Sequence, residues 1–276
     1  GAGDDSITFT ADLADADTVD GGAGTDTLVA IRADMVALTA AANITNFEAL
    51  TVSDSHTSGT LTTATVQAGI DKVTLAGGSN AGTVTFEAGS KTLAVTAAST
   101  TSLTVNDTGL AVDDSLAITT SNTIDTIAGI ATTINGFETV SLDTGTATAK
   151  TSGTITINGD PDSAGVNTAA TLTLTGAASL TVTGAVTVGA SAATGTIDAS
   201  GMTGAYVATT AVVGATTLKG GSGADTFVAA TGTASTITGG AGIDTLTGSS
   251  AADTISGDAG NDILHGSGGA DTINGG

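Results

Sequence analysis

The sequence predicts an all-β fold: a parallel β-solenoid, or β-roll, of short strands joined by Gly/Asp-rich turns. Three observations lead there. Residues 239–276 read in nines, as GGAGIDTLT, GSSAADTIS, GDAGNDILH and GSGGADTIN, with Gly275 and Gly276 opening a further unit. Residues 171–190, TLTLTGAASLTVTGAVTVGA, alternate apolar and polar, the period of a strand with one face in a core. Of the 276 residues 40% are hydrophobic but only 2% aromatic, and there is a single Pro. A core of Val, Leu, Ile and Ala suits thin stacked coils, whereas a globular enzyme core recruits aromatics.

Each nonapeptide places glycine first, aspartate sixth (Asp244, Asp253, Asp262, Asp271) and an aliphatic residue eighth (Leu246, Ile255, Leu264, Ile273). Glycine tolerates positive φ, so the first six residues can turn sharply and aim carbonyls inward. The last three form a short strand with its apolar side chain in the core. Two units make one coil, which stacks Asp244 over Asp262 and Asp253 over Asp271. Strands stack about 4.8 Å apart, and two bare carboxylates at that spacing repel by roughly 3–4 kcal/mol at an effective dielectric of about 20. A hard divalent cation held by those carboxylates and the turn carbonyls reverses the sign, and Ca²⁺ suits an irregular all-oxygen cage.

The same pattern recurs elsewhere. GAGDDSIT (1–8) is a nonad without its leading glycine, with Asp5 in the sixth place; GGAGTDTLV (21–29) carries Asp26, and GGSGADTFV (220–228) carries Asp225. These stretches resemble the RTX (haemolysin-type) calcium-binding repeat, GGxGxDxUx. The resemblance implies bound Ca²⁺ at Asp5, Asp26, Asp225, Asp244, Asp253, Asp262 and Asp271. It also implies metal-site residues in the turns, whose backbone carbonyls face the ion, at Gly22, Gly24, Gly221, Gly223, Gly239, Gly240, Gly242, Gly257, Gly260, Gly266 and Gly269. Residues 229–238 read as an insertion that the solenoid ejects as a loop. The acidic run Asp12, Asp15, Asp17 and Asp20 reads as a solvated loop.

Formal net charge is −22 with only five basic residues, Arg32, Lys72, Lys91, Lys150 and Lys219. That excludes a phosphate-binding surface and with it nucleic acid. Such acidity points to a calcium-rich exterior, where metal cancels self-repulsion. There is no Cys, so metal takes the place of disulfides. No apolar run reaches 18 residues. Both ends fall inside a repeat, the pattern of a slice from a longer protein.

The chain divides by texture into 1–30 (nonads with an acidic insertion), 31–218 (Thr/Ala-rich strand repeats) and 219–276 (the roll). Met35 and Leu38 fall at helical spacing within 31–41. Two units match ninety residues apart: Ile44, Asn46, Phe47, Glu48, Leu50, Val52 and Ile134, Gly136, Phe137, Glu138, Val140, Leu142. Phe47 and Phe137 read as core plugs; Glu48 and Glu138 read either as calcium ligands or as exposed strand-edge residues. Asp160-Pro161-Asp162 is a turn by composition.

Catalysis finds no footing. His56, in a loop, and His265, facing solvent from a strand, are the only histidines, and no H-E-x-x-H or G-x-S-x-G occurs. Arrays of T-x-T on a flat solenoid face can order water and bind ice. The pairs Thr60/Thr62, Thr83/Thr85, Thr154/Thr156, Thr171/Thr173 and Thr181/Thr183 lack a constant coil spacing, so no register and no flat lattice is expected, and they read as ordinary outward strand residues. Thr/Ala-rich repeats with F-E-x-[LV] units, IDASGMTGA (197–205) and nonads together resemble RTX-type surface-layer proteins of the Caulobacter kind. The resemblance implies type I secretion, folding in external calcium, self-assembly with other copies into a coat at the bacterial cell surface, and an anchor outside this segment. The alternative is a calcium-rigidified spacer of a large RTX adhesin.

Overall fold

The computed structural model describes residues 1–39, 43–79, 81–99, 101–108, 114–121, 131–159, 169–189 and 194–276. Asp160-Pro161-Asp162 and the end of the 31–41 segment lie outside them. The fold is a parallel β-solenoid. Its spine is a 13-stranded sheet running from Ser6–Thr8 to Thr272–Asn274, with its strands in chain order. Parallel neighbours cannot be joined by a hairpin, so each crossover makes a full turn and lays down strands of the other walls.

Those walls change along the chain. A seven-stranded sheet, from Thr60–Thr62 to Val212–Val213, faces the spine first. A six-stranded sheet opens at Lys150–Ser152 and continues to Ile263–His265. Coils between about 150 and 213 therefore have three walls, and the nonapeptide roll has two.

The core is a set of inward columns. Leu28, Leu50, Val73, Leu93, Ile118, Leu142 and Leu174 stand in register on successive coils, all buried. In the roll, Ile237, Ile255 and Ile273 continue the spine side, while Leu246 and Leu264 form the other wall. Phe47 and Phe137 are fully buried plugs. The short helix is Arg32–Ala37, with Met35 buried.

Two expectations are corrected. Residues 229–238 are not an ejected loop: Thr236–Thr238 is a strand of the spine, and Ile237 is fully buried. The stretch supplies its coil's own wall, because an inward aliphatic between two threonines is the strand pattern of the neighbouring nonads. Nor does irregular spacing prevent threonine register. Thr139, Thr171, Thr196, Thr217, Thr236, Thr254 and Thr272 occupy one outward column of the spine. Thr60, Thr83, Thr104, Thr133, Thr156 and Thr187 do the same on the seven-stranded sheet. Length variation is absorbed at the corners, so strands stay aligned while the sequence spacing drifts.

Candidate metal centre

Every sixth-position aspartate is the last residue before a strand. The in-register strand fixes its Cα, and its side chain falls at a corner of the coil. There the carboxylates form ladders. On the six-stranded side, Tyr206 donates its backbone N–H to Asp225 Oδ1 (2.6 Å), Asp225 to Asp244 Oδ1 (2.7 Å) and Asp244 to Asp262 Oδ1 (2.9 Å). On the spine side, Ser235 donates to Asp253 Oδ1 (2.7 Å) and Asp253 to Asp271 Oδ1 (3.0 Å). At the N-terminal end Asp5 donates to Asp26 Oδ1 (2.7 Å) and Asp26 to Glu48 Oε2 (2.7 Å). A peptide N–H thus stands between successive carboxylates and offsets part of their repulsion.

The ladder also runs where no nonad exists. Phe47 donates to Gln67 Oε1 (2.9 Å), Gly69 to Glu87 Oε2 (2.9 Å), Gly89 to Asp114 Oδ1 (2.6 Å) and Asp114 to Glu138 Oε2 (2.9 Å). Glu48 and Glu138 are therefore half-buried members of the acidic corner, not exposed strand-edge residues. Gln67, Glu87 and Asp114 escaped sequence reasoning. For Asp114 the signal was there: an acidic residue two before a buried aliphatic, as in Asp26-Thr27-Leu28, Glu48-Ala49-Leu50 and Asp114-Ser115-Leu116.

The second carboxylate oxygens fall into two classes. Asp225 Oδ2 accepts the Gly221 N–H (2.7 Å) and Asp253 Oδ2 the Ser249 N–H (2.6 Å). The Oδ2 atoms of Asp26, Asp244 and Asp262 are buried with no hydrogen-bond partner. The backbone at the second position of each nonad sorts them. Gly22 (φ 105°), Gly240 (φ 99°) and Asp258 (φ 65°) are left-handed and belong to the open class. Gly221 and Ser249 are not left-handed, and they turn their N–H onto the carboxylate.

Burial dominates the titration here. It raises Asp225 to about 6 against the Tyr206 and Gly221 N–H groups, which lower it. It also raises Asp244, where the Asp225 N–H opposes the rise while Asp262 and Asp258 add to it.

The leading glycines frame a cradle. A Cβ on Gly239 would stand 2.4 Å from Asp244 Oδ2 and 2.7 Å from the Gly257 carbonyl oxygen; one on Gly257 would stand 2.4 Å from Asp262 Oδ2 and 2.6 Å from that of Gly275. Any side chain at these positions would collide with oxygens of two successive coils, so only glycine lets the carboxylate and the next coil's carbonyl approach this closely. Gly266 repeats the approach, 2.4 Å from Asp271 Oδ2. Gly24, Gly242, Gly260 and Gly269 take φ of 142°, 135°, 151° and 114°. A Cβ on Gly242 would meet the Gly223 carbonyl oxygen at 2.2 Å, so these positions close the turns rather than offer side chains. Among the described residues no three His, Cys, Asp or Glu side chains converge on one point. The donor set is therefore one carboxylate per corner plus backbone carbonyls, which fits a hard, oxygen-preferring ion.

A family model for the RTX calcium-binding nonapeptide repeat matches the chain in four copies, at residues 12–30, 212–233, 230–264 and 247–276. The chain carries RTX calcium-binding nonapeptide repeats. No curated protein and no solved structure matches it. The RTX matches cover the N-terminal coil and the roll, and leave the three-walled middle without a counterpart.

The remaining polar candidates lie elsewhere. His56 is fully buried, not in an open loop; its ring Nε2 meets the Thr83 carbonyl at 3.0 Å. His265 is exposed at the end of its strand. Asp15, Asp17 and Asp20 cap neighbours, accepting from Thr39, Ala14 and Asn46. No helix of the described residues is long and apolar enough to cross a membrane.

Proposed function

We propose that this chain is a structural module secreted by a bacterium, folded by extracellular Ca²⁺ and assembled with copies of itself into a surface layer. The observation that carries the calcium dependence is the set of buried, partnerless carboxylate oxygens at Asp26, Asp244 and Asp262. An ionised buried oxygen without a partner is costly, and a divalent cation between successive corners removes that cost. Asp26, Asp244 and Asp262 are the ligands in this reading, with Asp271 completing the corner below Asp253. Asp225 and Asp253 are held by backbone N–H and serve the turn.

Two features support assembly. A chain at −22 repels its copies, and each bound calcium removes two charges. The spine also presents its column of seven threonines outward, exposed or half-buried, as a continuous row of hydroxyls. The coils vary in length and wall number along the chain, unlike the identical tandem domains of an adhesin spacer.

Electron microscopy of the purified chain, with and without about 1 mM calcium, tests the reading. Ordered sheets with calcium, and none with magnesium at equal ionic strength, are expected. A chain that folds with calcium yet stays monomeric at high concentration is instead a spacer, and one that is fully β-structured in excess chelator has no calcium-dependent fold.

A further inference from the structure

Outside the nonapeptides one carboxylate repeats the full geometry of Asp26. Asp114 Oδ1 accepts the Gly89 N–H at 2.6 Å, as Asp26 Oδ1 accepts that of Asp5 at 2.7 Å. The Asp114 N–H goes to Glu138 Oε2 at 2.9 Å, as that of Asp26 goes to Glu48 Oε2 at 2.7 Å. Asp114 Oδ2 is buried without a partner, as is Asp26 Oδ2, and the whole residue is only 2% exposed. No family match reaches this part of the chain.

The corner two coils earlier carries a cation of its own, although its carboxylate, Asp71, is exposed. There Lys91, itself buried, reaches back to Asp71 at 2.7 Å and to the Ile70 carbonyl. No lysine or arginine among the described residues pairs with Asp114. A carboxylate that is nearly inaccessible, with a bare oxygen and a second acidic side chain on the next coil, calls for a cation that no described residue brings to it.

We propose that Asp114, with Glu138 on the next coil, forms a divalent-cation site of the calcium type, a twin of the Asp26–Glu48 step, in the part of the solenoid that has no nonapeptide. Asp114 Oδ2 is the ligand. Glu138 adds negative charge and holds the Asp114 peptide in place. Such an ion takes its remaining ligands from backbone carbonyls or water, since hard cations with six to eight oxygen ligands accept both. The inference rests on the calcium-dependent reading above, but it concerns a different stretch of chain.

Equilibrium dialysis with radiolabelled calcium at about 1 mM free ion counts ions per chain. Folded Asp114→Asn, checked by circular dichroism, is expected to bind one ion fewer than the unaltered chain, and Glu138→Gln to need several-fold more calcium to fill the same number. A folded Asp114→Asn with an unchanged count overturns the site. If that variant does not fold, Glu138→Gln decides, and an unshifted titration overturns it. Asp262→Asn separates the two readings. A count that falls there but not in Asp114→Asn leaves the roll reading standing and removes this site; a count that falls in neither removes both.

Discussion

The backbone N–H of Asp244 donates to Oδ1 of Asp262, one coil and eighteen residues later, at 2.9 Å. The same carboxylate leaves its Oδ2 buried and unclaimed. One side chain thereby has two tasks on two oxygens, one joining coils by a charge-assisted hydrogen bond worth about 1.5–3 kcal/mol, the other facing the place of an ion.

This division predicts different consequences for two nonad aspartates. Asp262→Asn removes the charge beside an open oxygen and is expected to weaken one calcium ion at least tenfold, about 1.4 kcal/mol. Asp253→Asn disturbs a carboxylate already held by Ser249. It is expected to cost about 1–3 kcal/mol of stability in saturating calcium while leaving affinity nearly unchanged. Isothermal titration and urea melts of both variants check this, and equal affinity losses would mean that the orientation of the second-position peptide does not select the ligands.

Tyr206 stacks on Phe227 with ring centroids 5.1 Å apart, and its hydroxyl is buried without a partner. Tyr206→Phe keeps the ring contact and removes the orphan group. The variant is expected to be more stable by up to about 1 kcal/mol, read as a higher urea midpoint at unchanged slope.

Two buried groups pull pH dependence in opposite directions. Burial lowers the pKa of His56 below its usual 6.5, helped by the charge of Arg32 and opposed by the Thr83 hydrogen bond and Asp54. Its neutral form is preferred in the fold, so its contribution to stability is complete above 6.5 and is lost as pH falls from 6.5 toward the folded pKa. Asp225, raised from 3.8 to about 6, does the reverse. Its contribution is complete below 3.8 and is lost as pH rises through 6. In saturating calcium, His56→Gln is expected to flatten the loss of stability as pH falls below 6.5, and Asp225→Asn to flatten the loss on raising pH from 4 to 6. Urea midpoints across these ranges measure both; a wild-type slope in either variant refutes that assignment.

Ala81 sits at φ 65°, where an L side chain is strained. Ala81→Gly is expected to raise stability by about 1 kcal/mol without changing calcium binding. A lower melting temperature would count against it.

The nonapeptides were legible because nine residues bind glycine, aspartate and aliphatic positions into one local rule. The inward columns were legible because alternation is local too, and residues 171–188 bury the side chains that their pattern assigns to the core. What a local rule misses is register between coils of unequal length. Thr139 and Thr171 are neighbours across the sheet although thirty-two positions separate them, whereas Thr254 and Thr272 are eighteen apart. The acidic corner escaped for a related reason. Glu48, Glu87, Asp114 and Glu138 share a place in the coil but not one motif, and only the stacked backbone puts them in line. Residues 229–238 were misread because an aliphatic flanked by threonines, Thr236-Ile237-Thr238, is too short to outweigh the break in the nine-residue count.

The corner ladder has a direction. Tyr206 is received by Asp225, Asp225 by Asp244 and Asp244 by Asp262, so every amide waits for an acceptor that is synthesised after it. Removing a coil's successor strands a buried N–H, which proteins rarely tolerate. Removing its predecessor strands backbone donors as well, since Thr245 donates its N–H to the Asp225 carbonyl and Ile263 to that of Asp244; only the corner carboxylate is lent in a single sense. Each coil is thus held by both neighbours through its strands, while its carboxylate serves only the one before it. The two ends of the stack are chemically unlike: the first coil keeps a carboxylate oxygen free, the last an amide.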